Sequence, residues 1–136
     1  MLAHMANREP PNVTITKLFE SYTEAFDALD PVKIAQMYRL PCAVTDGDGV
    51  QTFNDVKSLT DKFTKNCAQM RNFGYQRAKF NILRREDLSQ TEVAVYVGWC
   101  IETETSKLTF RTLYVCHFID EAWRIFSANV YPGSFS

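Results

Sequence analysis

Nothing in this chain is arranged to meet a polyanion or a bilayer. Its 136 residues carry 15 Lys and Arg against 16 Asp and Glu, a net charge of -1. No run of cations is long enough to track a phosphate backbone, so nucleic acid is not an expected partner. No apolar run approaches the ~18 residues of a membrane span, and no membrane partner is expected. The opening residues MLAHMANREPP lack the basic start and apolar middle of a secretory leader, which makes the cytoplasm the expected location. Histidine is scarce, with only His4 and His117. Cys42, Cys67, Cys100 and Cys116 are spread out with no C-x-x-C pair. Zinc-type spacing is therefore lacking, and neither a metal nor a cofactor is expected. Disulfide staples are unnecessary as well, because a domain of this length buries roughly two-thirds of its unfolded surface. The cysteines read as buried free thiols.

Aromatic residues are what the chain has in surplus: 10 Phe, 6 Tyr and 2 Trp. That exceeds the needs of a small core and suits an aromatic-lined cavity. The stretch from Thr91 to Tyr131 reads as three consecutive antiparallel strands. In the first, Val93, Val95, Val97, Trp99 and Ile101 share one face, while Ala94, Tyr96, Gly98 and Cys100 make the other nearly as apolar. Both faces call for cover: helices or a cavity on one side and a partner surface on the other.

Upstream segments supply that cover. Residues 1–12 are polar and aperiodic, and read as a mobile tail ahead of one domain spanning 13–136. Ile15, Leu18, Phe19, Tyr22, Phe26 and Leu29 follow helical spacing over about four turns. Asp30-Pro31 opens a short helix, PVKIAQMY, that Pro41 is expected to stop. Cys42–Thr45 and Val50–Phe53 flank Asp46-Gly47-Asp48-Gly49 as a hairpin. A capping box at Thr52-x-x-Asp55 leads into a third helix with Val56, Leu59, Phe63, Cys67 and Met70 on one face, ending near Asn72 and Gly74. Tyr75 to Arg85 alternates as a strand, and a turn is expected at Glu86–Gln90. The order is helix, helix, hairpin, helix and four long strands, an α+β chain whose twisted sheet should curl around the first helix as a cone.

At the segments AFDALDPVKIAQMY and EAWRIFSANVY, and in its element order, the chain resembles the nuclear-transport-factor-2-like superfamily. This is the cystatin-like cone fold of ketosteroid isomerases and SnoaL-like cyclases. The resemblance implies a curved antiparallel sheet wrapped around N-terminal helices, with Tyr22 at the family's oxyanion-binding tyrosine and Asp46 at its general base. The chain departs from that pattern at Cys116, where the isomerases carry a protonated aspartate before a His-Phe pair, and a thiol is a weak donor. His117 alone cannot supply paired-histidine dehydratase chemistry, and strand parity keeps it away from Cys116. Phe110, Thr112, Tyr114, Cys116 and Phe118 share the face expected to line the cone. Arg111 and His117 fall on the outward face, which is suited to a sheet-to-sheet homodimer.

Three readings stand side by side. One is a homodimeric cone that binds a small, largely apolar molecule, with Tyr38, Tyr96, Trp99, Tyr114, Cys116 and Phe118 joining Tyr22 and Asp46 around the cavity. The second is an isomerase- or cyclase-type enzyme using Asp46 as base and Tyr22 as donor. The third is a non-catalytic interaction module. Tyr22 can equally be a core tyrosine, Asp46 a turn aspartate, and Trp99 and Trp123 core packing.

Overall fold

The structure, a computed structural model, describes residues 14–136; the tail expected over residues 1–12, with His4, lies outside them. Among the described residues three helices precede or interrupt the strands: α1 (Ile15–Asp27), α2 (Pro31–Gln36) and α3 (Val56–Asn72). The strands are β1 (Tyr38–Asp46), β2 (Gly49–Phe53), β3 (Tyr75–Ser89), β4 (Glu92–Thr103), β5 (Lys107–Ile119) and β6 (Ala122–Tyr131). They form one curved, unclosed sheet in the order β2-β1-β6-β5-β4-β3. Every neighbouring pair is antiparallel except β1 with β6, which runs parallel and joins the short hairpin to the long strands.

Side-chain oxygens cap each helix. Thr14 accepts from the Lys17 N–H, Asp30 from Lys33 and Asp55 from Ser58, each satisfying a donor that the first turn leaves unpaired. The cap of α3 is thus Asp55 itself, while Thr52 lies in β2, a correction to the expected capping box. A second correction concerns α2, which stops at Gln36. Tyr38 already pairs with Ile125 of β6, and Pro41 sits within β1. The third is at the β3–β4 turn: Glu86 and Asp87 still pair with Ala94 and Val93, and the chain reverses at Gln90-Thr91.

The inner face of the sheet holds α1. Phe19 is fully buried, its ring 4.8 Å from Tyr114 and 6.3 Å from Tyr22 and Phe80. Asp27 Oδ1 accepts both the Tyr75 hydroxyl at 2.6 Å and the Ala78 N–H at 3.0 Å, pinning the end of α1 to the start of β3. Val93, Val95, Val97, Trp99 and Ile101 are buried beneath the helix, as are Thr112, Tyr114 and Cys116. All four cysteines are free; Cys42, Cys67 and Cys116 are buried and Cys100 is half-buried, facing outward with Ala94 and Tyr96.

The outer face is partly occupied by the chain's own end. Tyr131, Arg111, Gly98 and Asn81 lie in one row across β6, β5, β4 and β3, and residues 132–136 cross it. Arg111 Nε donates to the Ser134 carbonyl at 3.0 Å, and Asn81 Nδ2 donates to the Phe135 carbonyl at 3.4 Å. A Cβ on residue 98 would stand 2.0 Å from that carbonyl oxygen, so a side chain there and the crossing segment exclude each other. Gly98→Ala should therefore release residues 132–136 while leaving the sheet intact. The check is limited proteolysis: cleavage should accelerate over these residues alone, and an unchanged rate would contradict the crossing.

Candidate functional site

Inside the curve lies a half-open cavity of about 540 Å³. Its floor is aromatic. Tyr22 comes from α1, Tyr38 from the start of β1, Trp99 from β4 and Tyr114 from β5, and all four are buried. Phe26 and Phe63 close one side, Val44 and Ala128 another. The mouth is formed by the end of α3 with Gln69, Met70 and Phe73, by the β4–β5 connection with Thr105, Ser106 and Lys107, and by Leu108 and Val130. Phe73, Leu108 and Val130 are exposed apolar residues at this rim, Phe73 by 75%.

Polar atoms converge at the floor. The Tyr22 and Tyr38 hydroxyls are 2.7 Å apart, and Trp99 Nε1 donates to the Tyr114 hydroxyl at 3.1 Å. Either hydroxyl of the Tyr22–Tyr38 pair can donate to the other, which leaves the second hydrogen of that pair for an acceptor in the cavity. Burial raises the pKa of Tyr22, Tyr38 and Tyr114 well above that of an ordinary phenol, and their mutual proximity adds to it. The floor is thus neutral, buried and rich in O–H donors.

Asp46 lines the same cavity, from the β1–β2 turn. Its two oxygens are both engaged: Oδ1 accepts the Asp48 N–H at 2.9 Å and Oδ2 the Lys62 ammonium at 2.7 Å. Tyr22, Tyr38, Asp46, Trp99 and Tyr114 are therefore brought together, and three further candidates are not. Tyr96 points to the outer face, where the Arg84 guanidinium lies 5.7 Å from its ring; parity with Trp99 across β4 places it there. Cys116 is sealed under α1, and burial pushes its thiol up to about 12, far from a thiolate at neutral pH. Phe118 packs edge-on against Trp123, with ring centroids 5.3 Å apart. Trp123 borders a separate groove with Met37, Leu40 and Leu59.

On the outward face His117 stacks on Phe126 at 4.5 Å and faces Arg39 Nη1 across 3.3 Å. Burial and the Arg39 charge lower its pKa, against a smaller pull from Glu92. It is remote from the phenols by side of sheet. The residues that sequence reasoning missed are Lys62 and the rim. Lys62 had a signal, a cation one step from Phe63 on the apolar face of α3, whereas Phe73 and Leu108 had none.

A family model described as "NTF2-like protein (DUF6841)" matches residues 8–133. No curated protein matches the chain in sequence. Among solved structures, an NTF-2 like protein of unknown function from Shewanella oneidensis MR-1 is similar over 85% of this chain and 94% of its own, at 20% identity and a TM-score of 0.71. A cystatin-like protein of unknown function from Nostoc punctiforme matches 88% of each chain at 12% identity, TM-score 0.72. A candidate scytalone dehydratase from Novosphingobium aromaticivorans matches 88% of this chain and 81% of its own at 15% identity, TM-score 0.66. Identities this low speak for the fold alone.

The raised phenol pKa values make a stability prediction with a definite sign. Below the unfolded-state value of about 10 the three tyrosines are neutral in both states and cost nothing; above it the unfolded chain ionises first, so stability falls as pH rises. Tyr22, Tyr38 and Tyr114 should yield tyrosinate absorbance only as circular dichroism reports unfolding. Their titration near pH ~10 with the fold retained would contradict a closed floor.

Proposed function

From the premise that the chain belongs to the NTF2-like family DUF6841, we propose that it binds a small, largely apolar molecule in the cavity inside the cone. The observation that carries this is the floor: neutral phenols and an indole around about 540 Å³ of space, with one O–H left for a guest. Apolar walls supply affinity, and the single hydrogen bond supplies orientation. The exposed rim of Phe73, Leu108 and Val130 extends the apolar surface to the entrance, so the guest keeps contact as it enters.

Homodimerisation through the outer sheet face belongs to the same reading, with residues 132–136, which cross part of that face, contributing to the contact. Four free cysteines accord with a reducing, cytoplasmic setting, and no described helix is long and apolar enough to cross a membrane.

The test is a thermal-shift screen of uncharged aromatic and alicyclic ketones and alcohols, run in a Trp123→Phe background so that Trp99 is the reporter. A guest at a hundred times its dissociation constant should add about 2.7 kcal/mol of stability and change Trp99 emission with the same dissociation constant. Stabilisation that leaves Trp99 silent would end this reading.

An isomerase- or cyclase-type reaction is the second reading, favoured by Tyr22 and Asp46 sharing one cavity. It requires Asp46 to release Lys62 before taking a proton from beside a carbonyl. With a cyclic enone as substrate, Asp46→Asn should lower turnover by several orders of magnitude. Equal turnover in the variant would dispose of it.

A further inference from the structure

Lys62 is the charged side chain that the apolar face of α3 does not explain. It sits beside Leu59 and Phe63 and is only 8% exposed, a position where an ammonium persists only if its charge is met. Two carboxylates of the β1–β2 turn meet it, Asp46 Oδ2 at 2.7 Å and Asp48 Oδ2 at 3.4 Å. The Asp48 side chain is 70% exposed and that of Asp46 only 19%, so the shielded pair is Lys62 with Asp46. Lys62 does not itself line the cavity; it stands behind Asp46, which does. Among the lining residues Asp46 is the one carboxylate, and Lys107, at the exposed rim, the one cation.

Resting on the reading of the cavity as a binding site, we propose that Lys62 determines its specificity by neutralising Asp46, so that the pocket takes an uncharged, hydrogen-bond-accepting guest and turns away amines. A half-buried carboxylate facing an apolar cavity is an attractive counter-charge for an organic cation, since little water screens it. With Lys62 in contact, that charge is already answered from the protein side. The remaining Asp46 oxygen is held by the Asp48 N–H, so neither points freely at a guest. The polar groups left for recognition are uncharged apart from Lys107 at the rim, and among them the phenol donors of the floor ask for a carbonyl or ether oxygen.

The experiment compares naphthylmethanol, naphthylmethylamine and naphthoate on the full chain, at low salt and neutral pH, by calorimetry. The wild type should prefer the alcohol. Lys62→Met should move the amine-to-alcohol affinity ratio about tenfold or more toward the amine, and the Lys62→Met/Asp46→Asn double variant should restore the alcohol. Lys62→Arg, which keeps the charge, should behave as wild type. Asp46→Asn alone strips Lys62 of its closest partner and should shift preference toward naphthoate, which keeps the proposal testable should Lys62→Met not fold. Unchanged ratios in both single variants would overturn it. Failure of the wild type to bind any of the three would instead refute the cavity as a binding site, and take the proposal with it.

Discussion

Phe19 and Tyr22, pressed into the curve of the sheet, are the contact on which the interior depends. With α1 seated there, each strand of the sheet acquires an inside and an outside, and alternation does the rest: Thr112, Tyr114 and Cys116 turn inward while Arg111, Leu113 and His117 turn outward. The helix fills only the narrow end of the curve. Beyond Tyr22 the sheet and α3 diverge, and the space between them becomes the cavity lined by Phe26, Phe63, Tyr38 and Trp99. The anchor of the far end of α1 is polar, Asp27 held by Tyr75 and the Ala78 N–H. Packing thus locates one end of the helix and hydrogen bonds the other.

Two chemistries overlap in that space. The phenol floor resembles what an acyl or enol oxygen requires, while the carboxylate that would serve as base is held by Lys62 and by the turn. A buried ammonium beside a carboxylate is costly to separate from its partner. The proposal of a neutral guest rests on that pairing, and at the isomerases' acid position this chain has Cys116, a buried thiol that burial pushes up to about 12.

Much of this was legible in the sequence, for identifiable reasons. The helical stripe expected from Ile15 to Leu29 and the alternation from Val93 to Ile101 are periodic because they face a core, and both appear where expected except that the helix ends at Asp27 and Leu29 turns out of it with φ 49°. Tyr96 shows the limit: both faces of β4 are apolar, so aromatic character alone drew it into the cavity although its parity opposes that of Trp99. Glu86 to Gln90 looked like a turn because no core lies over that end of β3 to demand apolar residues, yet the backbone ladder continues to Ser89. Tyr38 looked helical because its spacing extends α2, whereas pairing with Ile125 claims it for β1. Lys62 was illegible as a partner of Asp46, since the ion pair depends on how the hairpin folds over α3.

Cys100 carries a practical consequence. Three of the four thiols are buried and this one is partly open on the convex side of β4, adjacent in sequence to the indole that floors the cavity. A maleimide dye would attach there preferentially and remain outside the hollow, a few ångströms of backbone away from Trp99. The dye would then report what covers the convex face, in a chain that needs no engineered labelling site.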